Sequence, residues 1–334
     1  MPRLLQRLLN NAVFMFLVLS LVTVGLGFFL HYNRMAQQNS HFSQHQEVLS
    51  TAYKASLQTY RLAMDSFYAN TISRPEIAAL FAEGINATDK AKQDLARGRL
   101  YRRLYAQYAS MKSHNLVQLH FHTTIGKSFL RFHKPDRYGD SLMDIRPSVH
   151  VVNEKQQPVY GFEAGRVRSG FRYVYPIFWQ AKHVGSVEVS VTIKAIRDVM
   201  AELDPHQEYA FVLSRQLTEP IIFPEQRWLY RPSDLHPDFM VEDADALLPD
   251  SPPPLSSAAV MLNRRLARNA MVQDVMKKGE AVTVSTFAGG QPYIISLLPI
   301  HDFLHRVAGY LIAYAPDPVL AEHQQEFFIY IATA

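Results

Sequence analysis

The sequence predicts an α+β protein with one transmembrane helix, a long N-terminal helical region and two modules built on antiparallel sheets. Three observations carry this prediction. Nineteen residues without a charge occupy positions 12–30. Helical sequence in the first third is followed by strands and hairpins, an order typical of α+β folds rather than of βαβ units. A Pro-Ile pair with a later Gly also occurs twice at similar spacing, first at Pro176 and Gly185 and then at Pro299 and Gly309.

Length and composition allow two domains and exclude several kinds of chemistry. The chain has 334 residues, 48% of them hydrophobic, and a formal net charge of +4. Two domains of about 100–200 residues fit this length. The absence of cysteine excludes disulfides, thiolate zinc sites and a cysteine nucleophile. No basic patch with interleaved aromatics indicates a nucleic-acid partner, and no Walker A, G-x-S-x-G or H-E-x-x-H motif indicates an enzyme. We therefore expect no nucleic-acid binding, no catalysis and no cofactor in this chain.

The apolar run at 12–30 reads AVFMFLVLSLVTVGLGFFL. A transmembrane helix needs about 20 predominantly apolar residues, whereas a cleaved signal peptide has a core of about 7–15 and then a small-x-small site. We therefore expect an uncleaved anchor. Arg3 and Arg7 precede it, and positive charge keeps the preceding segment inside the cell. Residues 1–11 are expected in the cytoplasm, and the chain after the anchor in the periplasm of a bacterium, at its inner membrane.

Residues 31–115 form the predicted stalk and helical region. The segment 35–69 lacks Pro and Gly and carries large apolar residues at helical spacing. These residues are Leu49, Tyr53, Leu57, Tyr60, Met64 and Phe67. Such a helix either forms a stalk, which can also serve for homodimerisation, or packs along its own domain. Ser73 is the expected N-cap of the next helix, and Asp89 lies at the start of a third.

The segment 116–134 predicts a β-hairpin with one apolar and one polar face. Side chains alternate between the two faces of a strand. With 124–127 as the loop, Leu119 faces Phe132 and His120 faces Arg131. Gly126 takes any positive φ in the loop. The apolar face then carries Leu119, Phe121, Leu130 and Phe132, and the other face carries Gln118, His120, His122, Phe129, Arg131 and His133.

The segment 135–160 reads as a connector rich in turn signals, and 161–177 as strand, turn and strand. The alternation of Val187, Val189, Val191 and Ile193 with polar residues predicts a half-buried strand. The second Pro-Ile and Gly pattern predicts that the same closing hairpin is used again in a second module.

That second module also contains a predicted helix at 258–278 and a hairpin turn at Gly289-Gly290. We assign residues 116–200 to a membrane-distal module and 201–318 to a membrane-proximal one. The apolar residues within 319–334 predict the first turns of a second transmembrane helix.

Four stretches together resemble the double Cache family of bacterial extracytoplasmic sensor domains. They are LHFHTTIGKSFLRFHKPDRYGD at 119–140, IRP at 145–147, PVYGFEAGR at 158–166 and GFRYVYPIF at 170–178. More narrowly, the chain is similar to the double sensory domain of sensor histidine kinases, diguanylate cyclases and chemoreceptors. The resemblance implies a long N-terminal helix, two PAS-like modules and a small-molecule site in the membrane-distal one. It also implies an output domain that this sequence does not contain.

Eight side chains are candidates for the ligand site. Arg131 and Arg172 suit an anion, because guanidinium binds carboxylate in bidentate fashion. The alternative for each is a structural ion pair with Asp140 or Glu163. The remaining candidates are Tyr138, Asp140 and Glu163 for an ammonium or hydroxyl group, and His120, His122 and His133 as pocket or packing histidines. A metal site at the histidines is the weaker interpretation, since no tight set of carboxylate or cysteine ligands accompanies them. For Asp140 a turn cap after Gly139 is the alternative.

These features predict a receptor ectodomain that binds a small, carboxylate-bearing molecule in the distal module and signals to a cytoplasmic output domain. We expect a membrane-anchored homodimer. The alternative is a dimerisation or protein-interaction ectodomain without a small-molecule ligand. A pocket filled by the protein's own side chains would favour that alternative.

Overall fold

A computed structural model describes residues 2–113, 116–243 and 254–318 of the protein, with side chains from residue 14 onward. The helices are α1 (Pro2–Phe67), α2 (Pro75–Asn86), α3 (Lys90–Lys112), α4 (Pro147–Lys155), α5 (Ile193–Leu203), α6 (Arg215–Thr218), α7 (Ser257–Leu266) and α8 (Ala270–Lys278), with a π-helix at Tyr68–Ile72 and a 3-10 helix at Pro224–Leu229. The strands are β1 (Leu116–Thr123), β2 (Ser128–Arg131), β3 (Val159–Glu163), β4 (Gly170–Trp179), β5 (Lys182–Thr192), β6 (Glu208–Ser214), β7 (Tyr230–Pro232), β8 (Phe239–Glu242), β9 (Val282–Ala288), β10 (Gln291–His301) and β11 (Val307–Pro316). The predicted start of a second membrane span at 319–334 lies outside the described residues.

The predicted anchor and stalk form one continuous helix. Helix α1 runs for 66 residues, and the π-helix extends it to Ile72. Its apolar window has a mean hydropathy of 2.2 and none of it is buried in the protein. An apolar helical surface of this length that none of the described residues covers is consistent with transmembrane anchoring.

Two antiparallel sheets follow, which confirms the α+β prediction. The first sheet has the strand order β2-β1-β5-β4-β3, and the second has the order β7-β8-β6-β11-β10-β9. The repeated pattern seen in the sequence marks equivalent hairpins. Ile177 pairs with Gly185 in the first sheet, and Ile300 pairs with Gly309 in the second. We call the first sheet and the elements covering it module 1, and the second sheet and its elements module 2.

The hairpin register agrees with the prediction over part of its length. His120 pairs with Arg131 and Phe121 with Leu130, but the register shifts between Phe121 and His122. Phe129 was predicted on the polar face and this is wrong, since its ring stacks edge-on against Phe81 of α2 on the apolar side. A bulge changes which side chains share a face, and alternation alone cannot locate it.

Several helix predictions need correction. Ser73 is not an N-cap, because Pro75 occupies the first helical position and the Ser73 hydroxyl donates to the Ala69 carbonyl. The predicted helix at 258–278 is two helices, since the side chain of Asn269 caps α8 by accepting from two backbone N–H groups.

The chain also turns helical earlier and more often than predicted. Ile193 was assigned to a strand but begins α5, with Thr192 as N-cap. The predicted module boundary at 200/201 therefore falls inside this helix. The connector at 135–160 contains α4, which starts at Pro147.

Helix α1 packs along both modules in a fixed order. In the part of α1 that follows the apolar segment, Gln46 accepts a hydrogen bond from Thr283 of module 2. Farther along, the Tyr173 and Tyr175 hydroxyls of module 1 donate to the Leu57 carbonyl and to Asp65. A helix rises about 1.5 Å per residue, so module 1 meets the helix about 15–30 Å farther from the apolar segment than module 2 does.

Candidate functional site

A cavity of about 220 Å³ lies on the face of the module 1 sheet that points away from α1. Leu119 and Phe121 of β1 are buried in the core on the α1 side. Their neighbours Gln118 and His120 point the other way and line the cavity. The complete lining is Gln118, His120, Arg131, His133, Lys134, Arg137, Asp140, Leu142, Ile145, Arg146, Gly165, Arg166, Val167, Arg172, Phe223, Glu225 and Gln226. We call this space the module 1 cavity.

The floor of the cavity rests on a buried network of two arginines and two glutamates. The Arg146 guanidinium lies 2.5 Å from Glu163 Oε2 and 2.5 Å from Glu188 Oε2. Glu163 is further fixed by the backbone N–H and hydroxyl of Ser148, which donate at 3.0 and 2.9 Å. Pro147 begins α4 and places Arg146 and Ser148 on either side of the helix start, so both reach Glu163. Buried charges are tolerated when they are paired in this way.

Arg172 is the less completely paired guanidinium of the network. Its Nη1 lies 3.3 Å from Glu188 Oε1, and its Nη2 donates to the Arg168 carbonyl. Its Nε has no hydrogen-bond partner among the described residues. Burial, together with the neighbouring Arg146 charge, lowers the pKa of Arg172. Arg146, which contacts both glutamates, has a raised pKa although burial opposes this. Within this network, an anion in the cavity would therefore gain a stronger electrostatic interaction with Arg172 than with Arg146.

Glu188 is ionised at neutral pH despite complete burial. Burial acts to raise the pKa of this carboxyl, but Arg146 and Arg172 outweigh it and hold the pKa at about 2. Glu163 and Glu188 thus balance the charges of the two buried arginines. They do not neutralise the other cationic side chains that line the cavity.

The histidines of the site are neutral at physiological pH. Burial lowers the pKa of His133 to about 4 and that of His122 to about 3, and it lowers the pKa of His120 well below its ordinary value. His120 lies 2.8 Å from the Ser128 hydroxyl. The imidazoles of His120 and His133 can exchange hydrogen bonds with a ligand but bring no charge to it.

Module 2 supplies one wall of the cavity. The Phe223 ring lies 4.6 Å from the guanidinium carbon of Arg137 and 5.2 Å from that of Arg166. The Phe223 backbone N–H donates to the Arg166 carbonyl at 2.9 Å. In the part of the chain that the structure describes, neither arginine has a carboxylate within 4.0 Å. Two guanidinium groups thus flank one aromatic ring at the junction of the modules.

The structure brings five of the eight candidate residues to the cavity: His120, Arg131, His133, Asp140 and Arg172. The Arg131 guanidinium binds both oxygens of Asp140 at 2.7 and 2.8 Å, so the ion-pair alternative applies to this pair. Partial burial acts to raise the pKa of Asp140, but the guanidinium lowers it overall. Its carboxylate therefore contacts Arg131 and also a backbone N–H, and the turn cap after Gly139 stays an alternative role.

Three candidates lie elsewhere. Tyr138 donates to Asp94 and its ring lies under the Arg97 guanidinium, on the α3 side. Glu163 lies behind Arg146, and it does not pair with Arg172 as the ion-pair alternative proposed. His122 is fully buried between His120 and Glu188.

Sequence reasoning missed several residues of the site. Arg146 was noted only within the resemblance, yet it is the centre of the buried network. Glu188 was assigned to a strand without a role, although an acidic residue in an otherwise alternating buried strand is a signal for a charged partner. Nothing in the sequence indicated that Phe223 and Gln226 of module 2 approach the cavity.

One group of side chains at this site has metal-ligating chemistry. His120, His122 and Glu188 each place one donor atom within 4.8 Å of the others, and all three are buried. Glu188 already contacts Arg146 and Arg172, so a divalent cation there would lie beside two guanidinium charges. The donor set therefore fits a cation poorly.

Comparison with known proteins identifies a family for this chain. Residues 42–313 match the family described as the double sensory domain of two-component sensor kinases, dCache_3. No curated protein matches the chain in sequence. Among solved structures, the sensor domain of the Vibrio cholerae histidine kinase DctB is 15% identical, with 84% of this chain and 99% of that chain covered and a TM-score of 0.45.

Two further solved structures are similar to the chain to a comparable extent. The sensory domain of the Campylobacter jejuni chemoreceptor Tlp3, with isoleucine bound, is 11% identical and covers 85% of this chain and 96% of its own, with a TM-score of 0.40. A domain of a sensory box/GGDEF family protein from Vibrio parahaemolyticus is 14% identical, covers 85% of this chain and 98% of its own, and has a TM-score of 0.41.

Proposed function

The chain belongs to the family of double sensory domains of two-component sensor kinases, and from this premise we propose that it senses a small anionic molecule in the module 1 cavity. The chain then serves as the extracytoplasmic region of a bacterial transmembrane receptor. The observation that carries the proposal is the charge of the cavity wall. It contains six cationic side chains, Arg131, Lys134, Arg137, Arg146, Arg166 and Arg172, against the carboxylates of Asp140 and Glu225.

The pairing of these charges supports an anion more specifically than their number does. Arg131 is neutralised by Asp140, and Arg146 by the buried glutamates. Arg172 is incompletely paired at the floor, and at the rim the guanidinium groups of Arg137 and Arg166 stack on the Phe223 ring without a carboxylate from the described residues within 4.0 Å. A carboxylate between floor and rim would receive charge-assisted hydrogen bonds, which are roughly twice as strong as neutral ones.

The size of the cavity favours a small ligand. Drug-sized molecules occupy pockets of about 300–1,000 Å³, and the module 1 cavity measures about 220 Å³. The neutral imidazoles of His120 and His133 add hydrogen-bonding groups without repelling the cations. A short carboxylic acid that also carries a hydroxyl or amino group fits this combination of charge, polarity and volume.

Signal transmission is proposed to use the junction between the modules. A ligand that contacts Arg172 and the Arg137–Phe223–Arg166 stack touches both modules at once. Helix α1 is hydrogen-bonded to both modules, through Gln46 and Asp65. A ligand with different affinities for two arrangements of the modules would shift the equilibrium between them, and with it the position of α1 relative to the membrane. Homodimerisation through α1 stays a prediction.

The test is ligand binding by the full chain in detergent micelles, measured by calorimetry against mono- and dicarboxylates, amino acids and neutral analogues. Arg166→Ala removes a half-buried cavity cation, and Arg227→Ala is the matched control, because Arg227 is exposed on the neighbouring 3-10 helix and does not line the cavity. Losing a hydrogen bond to a charged group costs about 1.5–3 kcal/mol, so we expect about 10- to 100-fold weaker binding for Arg166→Ala and no change for Arg227→Ala.

Salt gives a second criterion. Binding of a carboxylate through partly exposed cations should weaken as ionic strength rises. Binding of neutral analogues alone, or equal effects of the two variants, would contradict the proposal. Absence of binding by every class of compound would favour the protein-interaction ectodomain instead.

A further inference from the structure

A second group of metal-ligating side chains lies where α1 meets module 2, far along the chain from the module 1 cavity. His41 and His45 lie one turn apart on α1, and Asp317 directly follows β11. His41 Nε2 is 2.8 Å from Asp317 Oδ2, and the two imidazole centres are 4.8 Å apart. One donor atom of each of the three side chains lies within 4.8 Å of the other two.

The spacing of the histidines is the one that helices use to bind a metal. Residues four apart lie on one face of a helix, and two histidines at i and i+4 ligate zinc in H-E-x-x-H helices. Tetrahedral Zn²⁺ with Zn–N distances near 2.0–2.1 Å holds its donor atoms about 3.3 Å apart. The three donors here need to move by about 1 Å to reach that geometry, and an ion would replace the proton shared by His41 and Asp317.

The burial of the group also suits a metal ion. Asp317 is 4% exposed and its backbone N–H donates to the Pro292 carbonyl at 3.0 Å, so the carboxylate is held in place. His41 and His45 are partly buried, which leaves a path for the ion and room for a water ligand. Imidazole and carboxylate are ligands that Zn²⁺ and its neighbours in the first transition row accept together.

The local electrostatics favour a cation. The Asp317 carboxylate contacts His41 directly, and Asp204 places a second negative charge near His45. This differs from the buried histidines of module 1, where the facing charges include two arginines.

We propose that His41, His45 and Asp317 form a binding site for a divalent transition-metal ion of the Zn²⁺ type that joins the stalk helix to the end of module 2. The adjacent docking of the helix uses the Gln46 side chain, which bonds Thr283 and the Leu297 carbonyl. A bound ion would add a strong cross-link between α1 and Asp317 directly beside this contact. The site therefore sets how firmly the helix is held against module 2, whatever occupies the module 1 cavity.

The experiment measures Zn²⁺ binding by the full chain in detergent micelles, prepared without a polyhistidine tag and stripped with a chelator. Equilibrium dialysis with elemental analysis gives the stoichiometry and affinity for the wild type, for His45→Ala and Asp317→Asn, and for His122→Gln in the other histidine group. His150→Ala is the matched control, because exposed His150 also faces a carboxylate four residues away, Glu154 at 3.8 Å, but belongs to neither histidine group.

We expect one ion per wild-type chain and unchanged binding by His150→Ala. His45→Ala retains the His41–Asp317 hydrogen bond, yet it should bind Zn²⁺ at least about tenfold more weakly, as should Asp317→Asn. Co²⁺ provides a readout on the unmutated protein, since a tetrahedral site gives intense visible absorption that Zn²⁺ abolishes by displacement. Wild-type binding of no Zn²⁺, equal binding by the wild type and His45→Ala, or loss of the ion only in His122→Gln would overturn the proposal.

Discussion

Replacement of Glu188 by Gln tests whether the buried network holds module 1 together. The carboxylate is fully buried, with Arg146 at 2.5 Å and Arg172 at 3.3 Å. Glu188→Gln keeps the size of the side chain but removes its charge. Arg146 retains Glu163, whereas Arg172 is left with the Arg168 carbonyl and with Gln118 at 3.5 Å. The substitution therefore leaves a buried guanidinium without a counter-ion.

Two estimates of the cost agree. Removing one partner of a buried ion pair costs about 3–5 kcal/mol. The pKa of Glu188 is about 2 in the folded protein and 4.5 as its ordinary value, and this difference corresponds to about 3 kcal/mol of stability by linkage. Because the folded pKa is the lower one, this stability is present above pH 4.5 and is lost as the pH falls toward 2.

The assay is urea unfolding of the full chain in micelles, followed by the fluorescence of Trp179 in module 1, with Trp228 replaced by Phe in every variant. We expect Glu188→Gln to lower the unfolding free energy of module 1 by about 3–5 kcal/mol at pH 7. The control Glu154→Gln removes a carboxylate that is 66% exposed and should change stability by less than about 0.5 kcal/mol.

A double substitution and a pH series sharpen this test. Glu188→Gln combined with Arg172→Gln should cost less than the sum of the single changes, since the uncompensated charge is gone. The difference in stability between wild type and Glu188→Gln should also shrink between pH 4.5 and 2. A Glu188→Gln protein within about 1 kcal/mol of wild type at pH 7 would refute the ion-pair reasoning.

Two other substitutions probe the geometry around the site, each by the same unfolding assay. Gly185→Ala places a Cβ 2.2 Å from the His122 carbonyl oxygen at a φ of +145°, so we expect at least about 2 kcal/mol of destabilisation. Gly139→Ala, also in module 1 and at positive φ but with nothing within 4 Å, should cost about 1 kcal/mol, and equal effects would argue against the steric explanation. Ser148→Ala removes the hydroxyl that donates to Glu163 at 2.9 Å and should cost about 1–3 kcal/mol, whereas a neutral result would mean that Arg146 and the Ser148 backbone N–H satisfy this carboxylate without the hydroxyl.

The elements that sequence predicted well are those in which one local rule acts alone. The apolar run at 12–30 needed only length and charge, and the alternation around β1 placed Leu119 and Phe121 in the core. The repeated Pro-Ile and Gly pattern predicted equivalent hairpins because the same packing recurs. A Cβ added at Gly185 or at Gly309 would lie 2.2 Å from a carbonyl oxygen of the neighbouring strand in the sheet, so both positions require glycine.

The errors occur where two local rules compete. A serine before Pro75 looked like an N-cap, but proline itself took the first helical position and shifted the start. A bulge moved Phe129 to the apolar side without any change in the residue pattern. Asn269 interrupted a stretch with helical periodicity because its side chain accepts hydrogen bonds from the backbone N–H groups of Met271 and Val272.

The amino-acid sequence by itself determined the fold class, the long apolar helix, the two-module plan and the polar character of the β1 face, because each follows from periodicity or composition along the chain. The pairing of charges was decided only in three dimensions. Arg146, Glu163 and Glu188 come from three separate segments, and Phe223 reaches the cavity from the other module. Likewise His41 and Asp317 are 276 residues apart and meet only because α1 packs against the end of β11. Electrostatic and metal-ligand interactions depend on distances through space, and spacing along the chain does not report those distances.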